Sequence, residues 1–102
     1  MEIEIRNKRI LRLYREGEST KYRLGATAIE KFFMRIEALQ AATFIQDLWK
    51  SASLHFEKMA GYENRFSIRI DGKFRLEIEI EWKDADKTTG KIIIAEISKH
   101  YE

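Results

Sequence analysis

Along residues 65–82 apolar and polar positions alternate with a period of two. Phe66, Ile68 and Ile70 interleave with Arg65, Ser67, Arg69 and Asp71. After Gly72 and Lys73, Phe74, Leu76, Ile78, Ile80 and Trp82 interleave with Arg75, Glu77, Glu79 and Glu81. This pattern predicts two half-buried antiparallel strands. A two-residue Asp71-Gly72 loop would set Ile68 opposite Arg75. An odd or bulged loop, with Gly72 supplying a positive φ, keeps Phe66, Ile68, Phe74 and Leu76 on one face. The hairpin is then apolar on one side and charged on the other, and its apolar side needs helices to cover it.

The flanking patterns supply them. Ile3 and Ile5 alternate with acids in a short first strand. Ile10, Leu13 and Tyr14 fall at helical spacing between an N-cap at Asn7 and a stop at Gly17, predicting a helix over about 8–16. Residues 18–25 form a polar connection. Ile29, Phe32, Phe33, Ile36 and Leu39 make the clearest amphipathic stripe, the expected cover for the hairpin. Thr43-Phe44-Ile45-Gln46 fits a capping box, predicting a short third helix to about Lys50. Leu54-His55-Phe56 is expected as a short strand, and 58–64 as a loop carrying Gly61. After a polar turn at 84–90, the nearly continuous apolar run Ile92 to Ile97 is expected as an interior strand contacted on both faces. The predicted class is α+β: two or three N-terminal helices packed on one face of an antiparallel sheet, in a single domain over 1–102.

Composition narrows the function classes. There are no cysteines and only two histidines, so no disulfide framework, metal site or cofactor is expected. The opening Met-Glu-Ile-Glu-Ile-Arg has no secretory apolar region, and no apolar run approaches membrane-spanning length, so the expected setting is cytoplasmic with no membrane partner. Net charge is +2, but residues 6–35 carry nine Lys/Arg against three acids, while residues 51–102 carry nine against ten. Such a basic half permits a polyanionic partner, although charge runs are usually solvated helix faces.

No phosphate-binding glycine loop, nucleophile elbow or zinc-protease motif is present. Glu77, Glu79 and Glu81 read as surface rather than as paired catalytic carboxylates. The histidines carry more information. His55 precedes the hairpin and His100 follows the last strand, at sheet ends where sites are common. Two imidazoles can serve as base and acid near neutral pH. RNA cleavage needs such a pair plus a cation for the phosphorane charge. Arg65, Arg69 or Arg75 would supply that cation, and Tyr101 would stack on a base or donate a proton. Lys58 and Lys73 join Arg65 and Arg69 as candidate RNA-binding residues.

The order of parts resembles the RelE/ParE superfamily of bacterial toxins, most closely the HigB branch, the plasmid maintenance system killer proteins. The resemblance rests on the helix–helix–β order, on Leu54-His55, and on Arg65-Phe66-Ser67-Ile68-Arg69-Ile70 followed by Phe74-Arg75-Leu76. The ending Glu96-Ile97-Ser98-Lys99-His100-Tyr101 completes it. Phe56 stands where the family usually has proline, and Ser98 or Lys99 where it has aspartate. The resemblance implies a ribosome-dependent mRNA endonuclease with catalytic His55, Arg75, His100 and Tyr101, neutralised by a HigA-type helix-turn-helix antitoxin. The alternatives are a toxin of the same fold with another target, such as gyrase, and an interaction module without activity.

Overall fold

The computed structural model describes residues 1–18 and 22–99. A short strand, β1 (Ile3–Ile5), leads into helix α1 (Lys8–Glu16), α2 (Ala26–Ala41) and α3 (Ile45–Lys50). A 3-10 turn at Ala52–Leu54 then precedes β2 (Glu57–Lys58), β3 (Arg65–Arg69), β4 (Phe74–Trp82) and β5 (Gly90–Lys99). The sheet order is β1-β5-β4-β3-β2. All pairings are antiparallel except that of β1 with β5, which is parallel and joins Ile3 to Ile92 and Ile5 to Ile94. The expected α+β architecture is present, with this parallel edge as its one departure.

Local chemistry explains the helix ends. The Asn7 side chain accepts from the amides of Arg9 and Ile10 at 3.0 and 3.2 Å, capping α1. Gly17 ends it at φ 73°, its amide donating to Leu13. The third helix departs from expectation. Its N-cap is Phe44, and the carboxylate of Asp47 accepts from the Thr43 and Phe44 amides, both at 2.9 Å. A carboxylate at that position also meets the positive end of the helix, so Asp47 does the work expected of Thr43 and Gln46.

One apolar core lies between helices and sheet. Phe32, Ile36 and Leu39 of α2 meet Ile68, Leu76, Ile78, Ile80, Ile92 and Ile94, all essentially inaccessible. The centre of the α2 stripe therefore runs through Ala28, Phe32, Ile36 and Leu39. Ile29 and Phe33, expected under the hairpin, are only partly buried at its flank, and Phe33 lies 5.8 Å from Tyr14 of α1. Arg35, on the α2 flank, donates from Nε to the Arg69 carbonyl at 2.7 Å and ties α2 to the end of β3.

The hairpin turn has the expected odd length, with Ile68 opposite Leu76 and Arg69 opposite Arg75. Its cause differs. Gly72 does not take a positive φ. Instead the Asp71 carboxylate accepts from the amides of Lys73 and Phe74 at 2.9 and 2.8 Å, an Asx turn that any residue at 72 allows. A β-bulge interrupts β5: Glu96 faces Glu77 but Ile94 faces Ile78, leaving Ala95 unpaired. The bulge reverses the alternation, so Ile92, Ile94 and Ile97 all point to the helices. Ile93, on the other face and opposite Glu79, is also buried, so Ile92 to Ile94 are contacted on both faces as expected, and the bulge accounts for the inward turn of Ile97. Gly90, opposite Trp82, is fixed by space, since a Cβ there would sit 2.4 Å from the Glu81 carbonyl oxygen.

Candidate functional site

Residues 51–58 bring the first candidate into place. Leu54 and Phe56 are buried while His55 between them is exposed. That alternation mimics a strand, but the backbone is not extended. His55 closes the 3-10 turn in the left-handed region, at φ 46° and ψ 51°. A non-glycine residue held there carries local strain. What holds it is a row of aromatic contacts. Trp49 packs on Phe56 at 4.5 Å, Phe56 stacks on Phe66 at 5.0 Å, and Phe66 meets Trp82 edge-on at 6.4 Å. Asn64 braces the far end, accepting from the Trp82 indole at 3.1 Å and donating to the Ile80 carbonyl.

The sheet face turned away from the helices carries Arg65, Ser67 and Arg69 of β3 and Arg75, Glu77 and Glu79 of β4. At the hairpin end of this face, His55, Glu57, Ser67, Arg69, Asp71 and Arg75 line one hollow. Arg69 and Arg75 stand directly opposite each other across the two strands. Like charges in that relation are destabilising. Among the described residues no ion pair relieves either one. Asp71 shares the hollow, but its carboxylate is occupied by the turn amides. The Arg75 Nε and, on the neighbouring strand, the Ser98 Oγ are buried with no hydrogen-bond partner among the described residues. Ser98 is registered opposite Arg75. A buried donor left so costs about 1–3 kcal/mol.

The Arg65 Nε is likewise buried with no hydrogen-bond partner among the described residues, but Arg65 has carboxylates beside it. Its guanidinium lies 3.6 and 3.7 Å from Glu77 and Glu79 and over the Tyr62 ring. It serves to compensate Glu77, one of two buried polar residues on the sheet. Lys58 is registered opposite Phe66, so it projects to the other side of the sheet from Arg69 and Arg75. It lines a separate hollow with Glu63, Asn64, Trp82 and Lys87. Lys73 sits exposed in the hairpin turn, over the ring of Phe74. The structure thus brings His55, Arg69 and Arg75 together and leaves Arg65, Lys58 and Lys73 outside. His100 and Tyr101 lie outside the described residues. Glu57 went unread in the sequence. It is registered opposite Ser67, and its two-residue offset from His55 was the available signal.

Beside this hollow, Tyr22 donates to Glu96 at 2.6 Å. Burial and that hydrogen bond push the Tyr22 phenol well above its ordinary value, with Asn7 and Arg9 pulling the other way. The pair ties Tyr22 to the bulged part of β5. Among the described residues, no group of three or more His, Asp or Glu is placed to hold a metal ion. No helix there is long and apolar enough to cross a membrane.

No family model matches the sequence, and no curated protein does. Among solved structures, the YoeB/ParE toxin from Agrobacterium tumefaciens is similar over 99% of this chain and 100% of its own, with a TM-score of 0.62 and 15% sequence identity. At that identity the likeness is one of fold and does not favour the HigB branch over any other. The helix-covered, mostly antiparallel sheet described above is the fold of that YoeB/ParE toxin.

Proposed function

We propose that this chain is the toxin of a type II toxin–antitoxin system, an endonuclease that cleaves mRNA on the ribosome in the cytoplasm. The observation that carries the reading is the uncompensated Arg69–Arg75 pair, set in a hollow with His55 and Glu57. A phosphodiester fits this arrangement. One group removes the proton from the 2′-OH, the 2′-oxygen attacks phosphorus, and the 5′-oxygen leaves as it takes a proton from a second group. The two arginines hold the charge that develops on the phosphorane oxygens. His55 and Glu57 are the proton-transfer groups in the hollow, and His100 with Tyr101 are the further candidates from the terminal residues. The neutralising partner would be an antitoxin of the helix-turn-helix, HigA type that covers the same hollow. The likeness of fold to a YoeB/ParE toxin supports the toxin reading.

The test is induction in a bacterial host followed by mapping of RNA ends. Growth arrest with new 5′ ends inside translated messages is the expected result, absent for Arg75→Ala. Growth arrest with intact messages and relaxed or broken chromosomal DNA would replace this reading with a gyrase target.

A further inference from the structure

The chemistry above leaves the basic stretch of the first half unused. α1 turns Lys8, Arg9, Arg12 and Arg15 to solvent, with Ile10 and Leu13 fully buried beneath. At about 100° per residue, Lys8, Arg12 and Arg15 fall within an arc of about 60°, with Arg9 about 60° beyond its edge. Arg12 is paired with Glu16 at 2.7 Å. Among the described residues no ion pair compensates Lys8, Arg9 or Arg15.

Two of these cations oppose the helix they sit on. The first turn of α1 carries no acid, so Lys8 and Arg9 meet the positive end of the macrodipole, where cations are unfavourable. Helix formation does not need them, because Asn7 already caps that end. The hollow lies on the sheet face away from the helices, and the N-terminal end of α1 meets the edge of β5 that joins the two sides. Asn7, the N-cap of α1, donates to the Ala95 carbonyl at 3.2 Å, and Tyr22 is bonded to Glu96. Two residues further, about 6.6 Å along the strand, Ser98 stands opposite Arg75. The pairing of β1 with β5 stops at Ile94, so no described strand separates the two.

We propose that Lys8, Arg9, Arg12 and Arg15 form a phosphate-contact surface for an RNA backbone, reached from the Arg69–Arg75 hollow across the end of β5. The inference rests on the RNA-cleaving reading and extends it from one phosphate to a bound chain. RNA fits better than a protein partner because protein interfaces bury an apolar centre. The exposed large apolar residues Met34, Phe44, Trp49 and Tyr62 all lie on other elements. The surface holds RNA without reading its sequence, as backbone contacts do.

The test is the affinity of a labelled single-stranded RNA oligonucleotide as a function of salt. In the variant Lys8→Ala, Arg9→Ala, Arg15→Ala, the slope of log K against log salt should fall by about 2, and affinity at 0.1 M salt by about 100-fold. A second variant, Lys50→Ala, Lys83→Ala, Lys87→Ala, removes the same charge from other exposed sites and should bind as the parent does. Unchanged affinity in the α1 variant overturns the inference whatever cleavage shows. So does an equal loss in both variants, or loss of binding to phosphatidylserine vesicles with RNA binding intact. RNA binding that depends on α1 in a protein that cleaves nothing would support this surface while removing the nuclease reading.

Discussion

The two ends of the charged sheet face are built from the same residue types and are arranged in opposite ways. At the end near β1, Lys91 bonds Glu4 at 2.9 Å and lies 3.9 Å from Glu81, while Arg6 reaches both of these acids. Arg65 continues the compensation toward Glu77 and Glu79. At the hairpin end, Arg69 and Arg75 face each other with no ion pair among the described residues, and the Asp71 carboxylate is used by the turn. The difference teaches where a ligand is needed. Where every charge has a partner the face is complete as folded. Where like charges are held together, folding alone gives no reason for them.

The largest effect expected is on the platform common to both ends. Phe32→Ala removes a fully buried ring between α2 and the sheet and should lower stability by about 3–5 kcal/mol, read from denaturant midpoints. Phe33→Ala, at the flank, should cost clearly less, and an equal loss would show that the stripe is centred elsewhere. Next, Arg75→Ala should reduce RNA cleavage by about 10²–10³-fold, as for loss of a charge-stabilising donor, without loss of stability. A fall in melting temperature matching the fall in activity would mean that Arg75 belongs to the compensated set.

Arg65→Met should do the reverse, costing about 1–3 kcal/mol by leaving the buried Glu77 carboxylate unpaired while cleavage stays near the parent rate. The smallest effect is the titration of the compensated end. Hydrogen bonds from Lys91 and Arg6 hold the Glu4 carboxyl below its ordinary value. A depressed carboxyl stabilises above its unfolded pKa, and that contribution is lost as pH falls through the lower folded value. Asp47 and Asp84, held down by hydrogen bonds to Phe44 and Thr43 and to Thr88 and Thr89, act in the same direction. Melting temperature should therefore fall below about pH 4, and Glu4→Gln should flatten the Glu4 part of that fall.

Much of this was legible because it is periodic. The alternation in 65–82 fixed strands, faces and the odd loop, and Asn7 and Gly17 bounded α1, because each signal sits in consecutive residues. What escaped was set by contacts between distant residues or by one backbone angle. The burial of Leu54 and Phe56 around His55 has the pattern of a strand, yet a left-handed residue produces it. Asp71 and Gly72 both favour turns, and only the folded geometry shows that the carboxylate does the work. The bond from Arg35 to the Arg69 carbonyl joins residues far apart in sequence and leaves no local mark. For the site, the arginine pair followed from the register. The sorting of Arg65, Lys58 and Glu57 depended on which edge and which partner each one meets.

The unpaired Ala95 also bears on how this chain is aligned with other proteins of the same fold. At 15% identity an alignment is anchored by strand pattern rather than by residue identity. Sliding residues 96–99 by one position against a protein without the bulge would place Ser98, the neighbour of Arg75, on the buried side of the sheet. A correspondence drawn that way would declare the hollow lost in a protein that retains it. Aligning by sheet face, with one residue allowed to drop out at 95, keeps the comparison in phase.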